Sequence, residues 1–265
     1  MDLELKDRVV VVTGGGGLPG SLGETIVRAA AKEGAVPVII DLEERGGALA
    51  EELTAAGQQA YFVQADLMVP EACERAVRET LDQAGRIDAL VNNLGVNDGV
   101  GLEDSCEAFM DSLKLNLVHM FLLAKHSLPA LKASRGCILN VASKVALTGQ
   151  GGTSGYAAAK GGVLALTREW AVDLVRYGIR SNALVLAECW TPGYDTWVSG
   201  RKDKDALLAQ INGRIPLENR MTRPEEAADM VLFLISRRAS HITGQHLFVD
   251  GGYVHLDRAL QDLNE

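Results

Sequence analysis

No stretch of this chain approaches the run of about 18 apolar residues that a membrane-spanning helix requires, so a membrane partner is not expected. The amino end, MDLELKDR, is charged and runs straight into VVVV. It therefore lacks the basic segment, apolar run and small-residue cleavage site of a secretory signal, and a cytoplasmic location is expected. Cys73, Cys106, Cys137 and Cys189 are scattered without a Cys-x-x-Cys pair, and the five histidines show no ligand spacing with them or with each other. That removes the common zinc patterns, and reduced, mostly buried thiols with no metal are expected. Basic residues are also in deficit, 26 against 35 acidic, for a net charge of -9. Such a chain repels phosphate backbones, so nucleic acid is not an expected partner. There is no internal repeat and no linker-like segment, so residues 1–265 read as a single domain.

What is present is an alternation of two periodicities. Val9 to Val12 is a continuous β-branched run, as in a strand buried on both faces, and Thr13-Gly14-Gly15-Gly16-Gly17 follows at once. Glu24 to Ala35 has helical spacing, and Val36 to Ile40 is a second apolar run closed by Asp41. In a strand-helix-strand unit of this kind the glycines let backbone approach a pyrophosphate at the helix N-terminus. An acid ending the second strand accepts from the adenosine ribose hydroxyls. Asp41 thus favours NAD over NADP, whose 2′-phosphate meets a negative charge there; Arg45 leaves NADP open. Further on, helices are expected over Arg45–Ala56, Pro70–Gln83, Phe109–Leu131, Tyr156–Tyr177 and Pro224–Ser236. Strands are expected over Ala60–Gln64, Ile87–Val91, Gly136–Val141, Ile179–Leu186 and His246–Val249. Residues 190–215, rich in Gly, Trp, Lys and Asp, read as an irregular lid over the substrate. The pattern implies an α/β fold: one Rossmann-type, doubly wound parallel sheet with helices on both faces and ligands at the carboxyl ends of the strands.

Ser143 to Lys160, SKVALTGQGGTSGYAAAK, brings together a hydroxyl, a phenol and an ammonium. Tyr156 and Lys160, four apart, share a helix face, and Ser143 returns from a preceding strand end. The chemistry this suits is proton abstraction from an alcohol. A phenol titrates near 10, so a phenolate at neutral pH needs about three units of stabilisation, roughly 4 kcal/mol, from a lysine cation and an oxidised nicotinamide.

Ser143, Tyr156 and Lys160, with Asn92-Asn93-Leu94-Gly95 after a strand and the Thr13–Gly17 loop, resemble the motifs of the short-chain dehydrogenase/reductase family. The resemblance implies roles residue by residue. Asn116 joins the catalytic set by holding a water that relays protons from Lys160. Asp66, with Leu67 beside it, receives the adenine; Asn93 and Gly95 line the adenosine pocket; Thr191 sits by the nicotinamide carboxamide, with Cys189 packed alongside. The glycine loop departs from the family pattern, with Leu18 where a glycine is usual and about three residues inserted. Ser21-Leu22-Gly23 then stands for the last Gly-Ile-Gly, and Gly14, Gly17 and Leu22 are the expected phosphate contacts. His119 and His126 read as structural.

SKVALTGQGGTSGY, LTREWA and FVDGGYVHLDRAL further resemble sugar-oxidising members of the family, which implies oxidation of the C1 hydroxyl of an aldose, L-fucose or similar, to the lactone. A sugar pocket needs polar groups for hydroxyls and a flat apolar surface for the ring. Glu188, Gln150 and Trp197, with Ser143, are the expected substrate residues, and Lys144 and Asn97 are further candidates. A carbonyl reductase of the same family and a nucleotide-binding regulator without turnover stay open, although the intact Ser-Tyr-Lys set argues against the second. The family also implies a homotetramer built on the helices carrying Asn116 and Tyr156, with the tail Tyr253 to Glu265, including His255 and Arg258, reaching a neighbour's site.

Overall fold

A computed structural model describes residues 2–257; the tail from Arg258 onward lies outside them, and with it the expected reach toward a neighbour. Seven parallel strands form one sheet in the order β3-β2-β1-β4-β5-β6-β7, namely β1 Val9–Thr13, β2 Val36–Asp41, β3 Tyr61–Gln64, β4 Ala89–Asn92, β5 Cys137–Ser143, β6 Arg180–Leu186 and β7 His246–Val249. Strand order reverses between β1 and β4, which pair through Val10–Ala89, Val11–Leu90 and Val12–Val91. A crevice therefore opens beyond their carboxyl ends, where successive connections leave for opposite faces.

The period of two along the strands divides the core. Val10, Val12, Ile39, Leu139 and Val141 pack with α1 (Leu22–Lys32), α2 (Arg45–Ala55) and α10 (Pro224–Ile235). Val9, Val11, Val38, Ile40, Ile138 and Ala142 pack with α3 (Pro70–Ala84), α5 (His119–Ser134) and α7 (Ser154–Leu174). Strands buried on both faces explain the unbroken apolar runs. The helix boundaries follow their capping groups. Ser21 Oγ accepts from the Glu24 N–H at the start of α1, Pro70 opens α3, and Gly85 closes it at φ 73°.

Two expected elements are corrected. The single helix over Phe109–Leu131 is two, α4 (Cys106–Leu113) and α5, joined by a π-helical turn at Lys114–Val118. Asn116, in the middle of that turn, is fully buried, and single π-helical turns of this kind are frequent at functional sites. Residues 190–215 are not irregular. They carry α8 (Pro192–Ser199) and α9 (Lys204–Asn212), each started by a polar cap: Thr191 accepts from the Tyr194 N–H at 3.3 Å, and Asp203 from the Ala206 N–H at 3.1 Å. A short α6 (Val145–Thr148) lies between β5 and α7.

Candidate active site

The glycine loop is shaped by atoms that leave no room for side chains. Gly14 has φ +66°, which L-residues rarely adopt. In the first turn of α1, a Cβ on Gly23 would collide with the Gly14 carbonyl oxygen and lie 2.7 Å from Asn93 Nδ2. Asn93 in turn braces the loop from β4. Its backbone N–H donates to Thr13 Oγ1 at 3.0 Å and its amide to the Thr13 carbonyl at 2.9 Å. Asn93 is thus a brace between strand ends as well as a wall of the cleft.

That cleft, about 530 Å³, runs from the glycine loop to the end of β6. Of the expected residues it is lined by Gly14, Gly17, Leu22, Asp41, Asn93 and Gly95 at one end, and by Ser143, Tyr156, Lys160, Cys189 and Thr191 at the other. Asp66 and Leu67 line an adjoining recess of about 130 Å³, which Asp41 also borders. His119 faces that recess, and burial, with Lys160 adding, pushes its imidazole down to about 3, so it stays neutral.

Asp41 closes β2 with one carboxylate oxygen on the Gly16 N–H at 2.8 Å and the other on the Glu43 N–H at 3.2 Å. Each oxygen keeps lone pairs for further donors. Arg45 donates from Nε to the Gly16 carbonyl at 3.3 Å and lies 3.8 Å from Glu43. Its guanidinium is thereby drawn toward the loop backbone and a neighbouring carboxylate.

At the far end, Ser143 terminates β5 and lines the cleft together with Tyr156, which rises from the first turn of α7. Lys160 follows one turn later, with Nζ 5.5 Å from the Tyr156 ring centroid and donating to the Val141 carbonyl at 2.8 Å. Burial pushes the Tyr156 phenol up to about 12; the Ser143 side chain pulls against it, and Asp98 adds to the rise. Burial pulls the Lys160 ammonium down to about 8. Desolvation therefore dominates both groups.

Gly95 closes the back of the site, because a Cβ there would sit 3.0 Å from both Asn116 Oδ1 and Lys160 Nζ. Asn116 is fully buried behind it, with Oδ1 accepting from the Val96 N–H at 2.8 Å and Nδ2 donating to the Ser112 carbonyl at 3.1 Å.

The expected substrate residues separate. Ser143 lines the cleft, but Gln150 is exposed between α6 and α7, and Trp197 is 44% exposed on α8. Glu188 and Lys144 form an ion pair behind the cleft wall. In their place the wall presents Tyr194, whose only sequence signal is its position three residues after the capping Thr191. Cys189 also lines the wall; burial pushes its thiol up to about 12 and leaves it inert at neutral pH.

A family profile described as enoyl-(acyl carrier protein) reductase matches residues 17–254. The chain belongs to that family, the short-chain dehydrogenase/reductases, as an oxidoreductase that acts on CH–OH groups of a small molecule with a nicotinamide cofactor. It is similar to L-fucose dehydrogenase of Mus musculus, 37% identical over 248 residues that cover 92% of this chain and 88% of that protein. Among solved structures it is similar to Cj0485 dehydrogenase at 39% identity and TM-score 0.92, covering 98% of this chain and 99% of that one. The L-sorbose reductase of Gluconobacter frateurii, solved with NADPH and L-sorbose, superposes at TM-score 0.90 with 26% identity, covering 97% and 100%.

The residues fit such a cofactor. Gly23 lets the first turn of α1 pack directly on the Gly14 carbonyl, and the cleft beside that turn, lined by Gly17, Ser21 and Leu22, lies at the helix N-terminus, where a pyrophosphate would be held. The backbone from Gly14 to Gly23 would hold the phosphates, Asp41 the ribose, the Asp66 recess the adenine, and Thr191 the nicotinamide amide.

Proposed function

We propose that this enzyme oxidises the C1 hydroxyl of an aldopyranose of L-fucose configuration to the lactone, with NAD preferred over NADP. The observation that carries the reading is that Ser143, Tyr156 and, one helical turn after the tyrosine, Lys160 line one cleft that runs to the Gly14–Gly23 loop. The 37% identity to L-fucose dehydrogenase supports the sugar. Ser143 holds the C1 oxygen, and Tyr156 takes its proton. Lys160 keeps positive charge beside the phenol, and Asn116, in its π-helical turn, passes the proton outward through water. The nicotinamide supplies the acceptor for the hydride leaving C1. Residues 190–215, with α8 and α9, act as the substrate lid, and the chains associate as a homotetramer through α4, α5 and α7.

The test is the initial rate of NAD and of NADP reduction with L-fucose, D-arabinose, L-galactose, L-rhamnose and other aldoses. NAD-linked turnover on the fucose-configured sugars is expected; turnover of ketones with NADPH and none of sugars would instead make this a carbonyl reductase. The same assay reads Asp41. Replacing it with Ser removes the charge a 2′-phosphate meets, and like-charge juxtaposition is worth several kcal/mol. The NAD to NADP preference of Asp41→Ser should fall by about 10-fold or more. An unchanged preference would show that discrimination lies elsewhere.

The pH dependence is set by the base. Tyr156 must lose its proton before it can accept another, so oxidation accelerates as pH rises. Both groups of the pair titrate above neutrality in the protein alone, Lys160 at about 8 and Tyr156 at about 12, and a cationic nicotinamide pulls the phenol down from there. The rising limb of kcat/KM should have its inflection above about 7. A limb centred near the ordinary histidine value of about 6.5 would point to another base.

A further inference from the structure

We infer that Tyr194 is the residue that reads a second hydroxyl of the sugar, and that Glu188 and Lys144 are the residues that position it. This role rests on the sugar reading of the active site. At the catalytic end of the cleft the polar side chains are Ser143, Tyr156, Lys160, Thr191 and Tyr194. The first three serve the reacting hydroxyl, and Thr191 caps α8. The Tyr194 phenol is left, and it has no part in the proton transfer.

Its hydrogen has a fixed destination. Tyr194 Oη donates to Glu188 Oε2 at 2.9 Å, while Glu188 Oε1 takes the Lys144 ammonium. A phenol has one proton; once that is donated, its oxygen only accepts from any other group. Donation to a carboxylate also makes the oxygen a better acceptor, since a charge-assisted bond polarises the next bond in the chain. Tyr194 therefore offers the cleft an acceptor, which matches a sugar hydroxyl as donor and does not match a carbonyl or ether oxygen. Burial, with Tyr253 adding, pushes the phenol to about 12, so the proton stays in the bond to Glu188 at working pH.

The charged pair is built as a support. The Lys144 and Glu188 side chains are 8% and 17% exposed, and neither lines the cleft. Lys144 comes directly after Ser143 and donates its backbone N–H to the Leu186 carbonyl at 2.7 Å, while its ammonium lies 4.2 Å from the Tyr253 ring centroid. The Glu188 carbonyl accepts from the Thr222 N–H at 2.9 Å. Trp197 packs edge-on against the Tyr194 ring at 5.4 Å, which fixes the ring as the carboxylate fixes the proton. The acceptor is thus registered to the same strand end that holds the reacting oxygen.

The test compares kcat/KM of the wild type, Tyr194→Phe and Glu188→Gln on L-fucose and on its 2-, 3- and 4-deoxy analogues. In the wild type at least one deoxy sugar should be poorer by about 10-fold or more, as for a site that loses a hydrogen-bonded hydroxyl. In Tyr194→Phe that penalty should vanish because L-fucose falls to the level of the deoxy sugar, with KM raised and kcat held. Glu188→Gln should shrink the same penalty through KM, because an amide no longer dictates the direction of the phenol proton. Unchanged NAD affinity in both variants, with an unchanged melting temperature in Tyr194→Phe and a lower one in a Glu188→Gln still folded at the assay temperature, separates this from unfolding. A wild type active on L-fucose whose deoxy penalties are absent, or survive Tyr194→Phe, overturns the role of Tyr194 alone. A wild type silent on every aldose overturns the sugar reading and this role together.

Discussion

Tyr156→Phe should lower kcat for alcohol oxidation by roughly 10²–10⁴-fold, the range a positioned general base contributes, while the NAD dissociation constant stays within about twofold. The variant keeps the ring that fills the site and removes one oxygen. Tyr156 lines the cleft with Ser143, and no histidine among the described residues lines it. His119 is held neutral in the neighbouring recess, and Lys160 donates to the Val141 carbonyl, so neither is placed to act as the base instead. Equilibrium titration of the quenching of tryptophan fluorescence by NAD, and steady-state kinetics on the same preparation, separate binding from chemistry. Near-normal turnover in the variant would remove Tyr156 from the role of base.

Gly23→Val should abolish measurable cofactor binding and lower the melting temperature. A side chain at position 23 meets the carbonyl oxygen of Gly14 and the amide of Asn93, and neither is a flexible tip that can swing away. The Gly14 carbonyl belongs to a turn held at positive φ, and the Asn93 amide is fixed by its bond to Thr13. Forcing the volume in costs about 1–3 kcal/mol by overpacking, or several degrees in melting temperature at about 2–4 °C per kcal/mol for a domain of this size. The larger effect is on the ligand, since displacing Gly14 from α1 closes the space in which backbone N–H groups meet phosphate. Calorimetric titration with NAD reads the binding and thermal unfolding reads the fold. Wild-type affinity in Gly23→Val would mean that the phosphates are held elsewhere in the loop.

Much of the architecture was legible in the chain because its signals are local. Val9–Val12 and Val36–Ile40 are apolar on both faces, and only a strand covered on both sides tolerates that; glycine and Asp41 stand at the expected ends. The lengthened glycine loop was readable for a similar reason. Ser21 caps the helix and Gly23 permits its close approach, wherever the intervening residues travel. The π-helical turn was not readable, because the KLNLV segment has ordinary helical periodicity and the extra residue in its turn depends on what surrounds Asn116. The two helices within 190–215 had capping signals at Thr191 and Asp203, but a composition of Gly, Trp and charge masked them.

The sequence by itself determined the strand-helix alternation and the family, because these depend on residue type and on periods of two residues and of one helical turn. Only the tertiary structure decided which side chains share the catalytic end of the cleft. Glu188 and Tyr194 are six apart and both precede or begin a helix, yet one lies behind the wall and the other forms it. Lys144 and Glu188 stand 44 positions apart and meet because β5 and β6 are adjacent in register, with Ser143 opposite Leu186. Parallel pairing brings strand ends together across any length of connecting chain, and the length carries no record of the neighbour.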